Sequence, residues 1–213
     1  MRKAISELSE VLVIARVSKT VMPLRVPTEQ IMSEQIVVFA TDSYSVQALL
    51  SSSLHQLWAI TYGSTLETRV RYTPSDVFET FPRPESAEGL ARIGQALDEE
   101  RREVMLRRDV GLTKLYNLIH DPVIHDDPDV ERLREIHVEI DEATIAAFGW
   151  DDLALDHGFH TFRQLQRWTI GPAARVECLD RLLLENHRRA TERKAVTPRR
   201  SSDYMVGEVS LFD

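Results

Sequence analysis

The 213-residue sequence predicts an α+β fold, a small β-rich N-terminal unit with one packed helix followed by a C-terminal α-helical bundle. Three observations predict it. Short apolar, β-branched runs are confined to the first part of the chain, at residues 11–15, 21–26 and 36–40. Helical periodicity governs almost everything after residue 85. Between the two lies residues 66–84, where alternating residues give way to a proline-pinned exit. The organisation expected is a β-rich unit at 1–84, a helical bundle at 85–190 and a polar tail at 191–213.

In order, Val11 to Ala15 is a continuous apolar run of strand length, as a strand covered on both faces requires. Residues 21–26 and 36–40 are two further strand candidates. Asp42 or Ser43 then caps a helix expected to run unbroken to about Tyr62, with Val46, Leu50, Leu54, Leu57, Trp58 and Thr61 on its apolar face and Gly63 closing it. Leu66, Thr68, Val70 and Tyr72 alternate with Glu67, Arg69 and Arg71, the period of one strand with an apolar and a charged face. Thr73-Pro74-Ser75-Asp76 reads as a turn, and Pro82 and Pro84 bracket a linker that cannot stay helical.

The second half is read as helices. Ser86 caps a helix carrying Leu90, Ile93, Leu97 and Val104. A short helix spans residues 112–120. Asp127 caps a third with Pro128 at its first turn and Leu133, Ile136 and Ile140 inward. Residues 150–170 are expected to be loop. Gly171-Pro172 opens the last helix, with Val176, Leu179, Leu182 and Leu183 inward. No internal repeat is present.

The bulk numbers exclude several classes. There is no apolar run long enough for a membrane span and no apolar signal core, and Cys178 is the one cysteine, so neither an internal disulfide nor a cysteine zinc site can form. These features suit the cytoplasm. The net charge of −8 argues against a uniformly basic nucleic-acid binder. The charge is uneven, however: residues 1–75 hold 7 Lys/Arg against 6 Asp/Glu, and residues 76–213 hold 19 against 28. Any DNA contact is expected in the first half.

Three ordered segments carry a resemblance. Tyr72 to Pro84 follows the pattern Tyr-Thr-Pro-x-Asp-x-Phe-x-Thr-Phe-Pro-x-Pro. Upstream stand Leu49-Leu50-Ser51-Ser52-Ser53-Leu54-His55-Gln56-Leu57-Trp58 and Tyr62-Gly63-Ser64. Downstream stand Gly111-Leu112-Thr113-Lys114-Leu115-Tyr116-Asn117, Asp141-Glu142-Ala143 and Phe148-Gly149-Trp150-Asp151-Asp152-Leu153. In order and spacing, over roughly residues 5 to 190, the chain resembles the C-terminal part of the MmeI-like, fused restriction-modification DNA methyltransferases. The resemblance implies the closing section of a target-recognition domain followed by a helical C-terminal domain. Its implied role is a non-catalytic module that positions double-stranded DNA and helps read its sequence, with a methyltransferase module in cis or in trans as partner.

The catalytic motifs of such enzymes are missing here. The asparagines, Asn117 and Asn186, do not precede proline, and no two glycines stand two apart, so neither an Asn-Pro-Pro-Tyr loop nor a Gly-x-Gly turn exists. No S-adenosylmethionine site, no other cofactor site and no catalytic residue is expected; S-adenosylmethionine belongs to the catalytic domain of the enzymes resembled. The DNA-contact candidates are Arg16, Lys19, Arg25, Glu67, Arg69 and Arg71. Arginine can pair bidentately with guanine, glutamate can accept from cytosine, and lysine can hold phosphate. A solvated, charged strand face is the ordinary alternative.

Other clusters have simpler explanations. His120-Asp121 and His125-Asp126-Asp127 carry the residue types of a metal-dependent phosphohydrolase, yet acids before a helix start also complement its dipole, and no metal site is expected. Pro128-Asp129 with Glu192-Arg193-Lys194 has nuclease letters but lies at a helix start and in a polar tail. Ser51-Ser52-Ser53 beside His55 reads as a close packing contact rather than a nucleophile, and Cys178 as a buried thiol. The tail end, Glu208 to Asp213, faintly resembles a sliding-clamp-binding peptide through Leu211 and Phe212. A protein-docking scaffold stands as the alternative to DNA recognition, on the acidic, apolar-striped helical half.

Overall fold

The structure is a computed structural model that describes residues 2–66, 69–162 and 165–196. Strand β1 (Glu10–Ala15) lies between β3 (Leu24–Pro27) and β4 (Ile36–Phe39) in a three-stranded antiparallel sheet, with Leu12 opposite Arg25 on one side and Phe39 on the other. Val11, Leu12, Val13 and Ile14 are all buried. Leu12 and Ile14 enter the main core with Val37 and Phe39. Val11 and Val13 pack on the other face with Ile5, Leu24 and Val26. A run apolar at every position is what a strand covered on both faces demands.

A second antiparallel sheet follows the order β2-β6-β5, with β2 at Val17–Ser18, β5 at Ser64–Leu66 and β6 at Arg69–Arg71. The single strand expected from Leu66 to Tyr72 is therefore two strands. Leu66 stands opposite Arg69 and Ser64 opposite Arg71. Leu66 consequently shares a face with Arg69 and is half exposed, while Val70 and Tyr72 are buried. Period-2 alternation does not reveal a chain reversal inside it. Glu67 and Thr68 lie outside the described residues.

The helix expected to run to Tyr62 is also two: α1 (Tyr44–Ser51) and α2 (Ser53–Tyr62). Ser43 caps the first, as expected. Ser52 breaks the run with extended backbone, donating its N–H to the Leu49 carbonyl while its Oγ accepts from the His55 N–H at 3.2 Å. Serine competes with helix backbone through such local bonds. The Asp141 carboxylate supports the new helix start, accepting from the Ser53 N–H at 2.6 Å. Gly63 ends α2 at φ −70° rather than in the left-handed region, and its role is space: a Cβ there would lie 2.4 Å from the Ala59 carbonyl oxygen.

A 3₁₀ turn at Glu88–Leu90 leads into α3 (Ala91–Arg108), followed by α4 (Leu112–Ile119), α5 (Pro128–Ala147) and α6 (Pro172–Val196). Asp127 caps α5 ahead of Pro128, as the sequence predicts. Residues expected to be loop contain a hairpin, β7 (Gly158–Phe162) and β8 (Leu165–Thr169), with Phe159 opposite Trp168 and their rings edge-on at 5.2 Å. Arg134 of α5 lies over both rings. The hairpin shows no clean in–out alternation, and much of its support comes from a distant helix, so no local period announced it.

Two cores draw on residues from both sides of Pro84. The larger joins the sheets, α2, Val77 and Phe81 to Ile145, Leu155, Ile170, Ala174, Cys178 and Leu182. The other joins α3, α4 and α5 to Met22 and Ala48. Leu90, Leu97, Leu133, Ile136 and Ile140 are buried as expected. Val176, expected inward, is 62 % exposed. The inward row of α6 is Ala174, Cys178 and Leu182 at spacing four, and because two of the three are small, a phase chosen by side-chain size misses it. No helix among the described residues is long and apolar enough to cross a membrane.

Candidate nucleic-acid interface

Lys19, Arg69 and Arg71 come together at the β2-β6-β5 sheet. β6 is central, with Arg71 opposite Val17 on one side and Ser64 on the other. Because Val70 points to the core, Arg69 and Arg71 point the other way, with Leu66 and Ser64 beside them. Arg71, Ser64 and Leu66 are exposed, and Arg69 is half-buried. Lys19, exposed, lies one residue beyond the Ser18–Val70 pair. Among the described residues the side chains of Lys19 and Arg71 have no carboxylate partner within ion-pair distance. Arg16 is half-buried at the junction of the two sheets: its Nε donates to the Glu34 carbonyl at 2.9 Å and its own carbonyl accepts from the Tyr72 N–H at 2.8 Å.

The inner side of this sheet is rigidly backed. The Tyr72 hydroxyl lies 3.0 Å from His55 Nε2, and His55 Nδ1 lies 2.8 Å from the Leu50 carbonyl. Burial lowers His55 to about 4, so the ring is neutral, with Nδ1–H donating to the carbonyl and Nε2 accepting from the hydroxyl. Burial raises Tyr72 above the ordinary phenol range, which keeps it a donor. Phe39 and Phe81 surround the pair. The serine–histidine stretch is thus scaffold, with Ser51 Oγ bonded to the Gln47 carbonyl and Ser52 capping α2.

Arg25 does not join the basic face. It is 8 % exposed, its Nη2 donates to Gln47 Oε1 at 3.3 Å, and its guanidinium lies 4.0 Å over the Tyr44 ring. Glu10 and Asp98 sit within ion-pair distance. Its neighbours consume its charge, so it holds β3 against α1 and α3 rather than facing solvent. A strand residue flanked by apolar neighbours gave no hint that acids from β1 and α3 would enclose it. The call for Glu67 lies outside the described residues, as do Leu211 and Phe212 of the tail.

The acidic clusters are similarly engaged. Asp127 caps α5 and pairs with Arg108. Asp129 is held by Arg107 and Arg108, and Asp121 accepts from the Val123 N–H at 2.9 Å. Glu192 pairs with Arg188 on α6. Among the described residues no three His, Cys, Asp or Glu side chains converge as metal ligands. Burial pushes the Cys178 thiol up to about 12, so it is an inert core residue. Two residues outside the sequence-derived set shape the site: Asp141, which starts α2 and accepts from His157 Nε2 at 2.9 Å, and Arg167, whose Nη2 donates to the Lys19 carbonyl at 2.6 Å. Arg167 ties the β7–β8 hairpin to the basic face and lies in a stretch that reads as loop.

Comparison with known proteins bears on this surface. No curated protein matches the chain. A solved structure of the Type IIL restriction-modification enzyme MmeI in complex with DNA shares the fold over 86 % of this chain, with a TM-score of 0.56 and 20 % sequence identity. The chain spans 22 % of that protein's length. Residues 2–85, which include both three-stranded sheets, α1 and α2, match the family described as MmeI, target recognition domain. By that match, the N-terminal unit of this chain is similar to the target recognition domain of MmeI.

Proposed function

We propose that the chain is a DNA sequence-recognition and positioning module for a restriction-modification DNA methyltransferase, which acts in cis or in trans, and that it has no catalytic activity of its own. One observation carries the reading: the segment matching the recognition-domain family contains the sheet whose central strand turns Arg69 and Arg71 to the outside, with Lys19 alongside. A rigid, aromatic-backed sheet presenting cations is suited to hold phosphates and reach base edges. The similar enzyme was solved with DNA, and this chain spans 22 % of it; in this reading methyl transfer and S-adenosylmethionine binding fall to a separate catalytic module. In this scheme Arg69, with Glu67, reads bases, while Arg71, Lys19 and Arg16 hold backbone. The cytoplasm is the corresponding location.

The test is titration with duplex DNA at about 50 mM and 200 mM salt, where each neutralised phosphate adds about 0.9 to the slope of log affinity against log salt. Lys19→Ala and Arg71→Ala should each lower the slope by about one. Binding that is absent, or unchanged in both variants, rejects the reading. A docking scaffold is the second reading, favoured by Val176 and Leu184 on α6, which are 62 % and 70 % exposed.

A further inference from the structure

Away from the basic sheet face, the β7–β8 hairpin closes over a small cavity of about 30 Å³. Ser53 and Gln56 of α2, His120 at the end of α4, Arg167 and Trp168 of β8, and Arg175 of α6 line it. Trp168 Nε1, Arg175 Nη1 and both ring nitrogens of His120 are shielded from solvent and have no protein partner. Unpaired buried polar nitrogens are rare, and here the three residues that carry these four all line one cavity.

The charge around it is one-sided. Arg175 spends Nη2 on the Thr161 carbonyl and lies over the Phe162 ring, and Arg167 spends Nη2 on the Lys19 carbonyl. Arg134 lies over the Trp168 ring and bonds four carbonyls. Among the described residues none of these three arginines has a carboxylate within ion-pair distance, and no carboxylate lines the cavity. Asp141, one layer behind Ser53, is already committed to the Ser53 N–H and to His157. Burial, then the charge of Arg167, lowers His120 to about 3, so the ring is neutral and keeps one N–H to donate. A water molecule would satisfy the donors but leave the buried positive charge uncompensated; an anionic oxygen does both.

We infer that this cavity is a phosphate-oxyanion site, in which Trp168 Nε1, Arg175 Nη1 and a ring N–H of His120 donate to one phosphate oxygen while Arg167 and Arg175 supply the balancing charge. The volume fits a single oxygen of that group rather than a nucleotide. The oxygen comes either from free phosphate or from the backbone of DNA. The second source rests on the proposed function, and Arg167 bonded to Lys19 provides the link to that face.

The full chain is melted in sodium phosphate and in sodium chloride at matched ionic strength and pH, and titrated with duplex DNA, as wild type and as Trp168→Phe and Arg175→Lys. Trp168→Phe keeps the ring and removes one donor; Arg175→Lys keeps the charge and removes the fork. Wild type should be stabilised by phosphate over chloride, with either variant weakening phosphate binding about tenfold. If DNA affinity and its salt slope fall in the same variants, the oxygen is a DNA phosphate. If DNA binding is untouched while phosphate binding falls, the source is the free anion. Equal melting in both salts, with no loss in either variant, means an ordered water only and overturns the site. Failure of the recognition reading is separate: it appears as absent DNA binding by wild type, and the phosphate arm still decides the cavity.

Discussion

Gly94 lies where α3 approaches the α1 backbone closely, and replacing it with alanine sets two effects against each other. Removing a glycine from a helix interior gains about 1 kcal/mol of helix propensity. Against this, the new Cβ would sit 2.0 Å from the Tyr44 carbonyl oxygen, 2.8 Å from the Tyr44 carbonyl carbon and 3.2 Å from the Ala48 Cβ. Such contacts are essentially never closer than 3.0 Å, so α3 must retreat from α1 by about 1 Å. The obstacle is backbone and cannot rotate away. Retreat also pulls on the buried bond from Gln47 Nε2 to Asp98 Oδ1, 2.8 Å long, which spans the same two helices. Overpacking costs about 1–3 kcal/mol and strain on a hydrogen bond to a charged group about 1.5–3 kcal/mol, so the clash wins and the net loss is about 2 kcal/mol or more. Denaturant unfolding should show a lower midpoint at unchanged slope, and melting should fall by about 4–8 °C. Gly89→Ala, where a Cβ meets nothing within 4 Å, is the matched control and should be neutral. A Gly94→Ala protein as stable as wild type would refute the close approach of the two helices.

Three further outcomes follow from the buried residues. Ile140→Ala, at a position with 0 % exposure, should cost about 2–5 kcal/mol in chemical unfolding. Arg25→Leu should destabilise the fold by about 3 kcal/mol, because it strips a partner from buried Asp98, while DNA affinity per folded molecule stays unchanged; a selective loss of DNA binding would restore Arg25 to the contact surface. Stability should fall as the pH drops from 6.5 toward 4, because His55 and His137 are lowered by burial to about 4 and bind no proton in the folded state over that window, whereas the unfolded chain does. His55→Gln should flatten part of that slope, and an unchanged pH profile in this variant would show that the ring is not buried neutral.

The parts legible in the sequence are those where one local rule acts alone. Val11 to Ile14 announce a doubly covered strand because every position is apolar, and Asp127-Pro128 announces a helix start because cap and first-turn chemistry coincide. The errors come where two rules overlap or a distant element decides. Ser52 lies in a sequence with unbroken helical periodicity, and its own cap bond, with Asp141 from 88 residues downstream accepting at Ser53, splits the helix. Alternation from Leu66 to Tyr72 fits one strand and a tight hairpin alike until pairing places Leu66 opposite Arg69. Arg25 and Arg71 look alike in sequence, each flanked by residues of a short strand. Only the arrival of Asp98, Gln47 and Tyr44 separates the buried arginine from the exposed one.

That separation has a functional consequence. On the basic sheet the inner positions, Val70 and Tyr72, are locked by the core and by the His55 bond, whereas Arg71, Ser64 and Leu66 face outward. Exchanging an outward residue leaves no cavity and no orphaned buried group, so its stability cost should be within about 0.5 kcal/mol. A recognition surface built this way can change what it contacts without a change in fold, since alternation along a strand assigns scaffold to one side and contact to the other. Arg16 stands outside this division: its Nε bond to the Glu34 carbonyl at the joint of the two sheets means that replacing it alters both the surface and the angle at which the surface is held. Loss of DNA affinity in an Arg16 variant would therefore not identify a contact unless the melting temperature were preserved, whereas the same loss at Arg71 would.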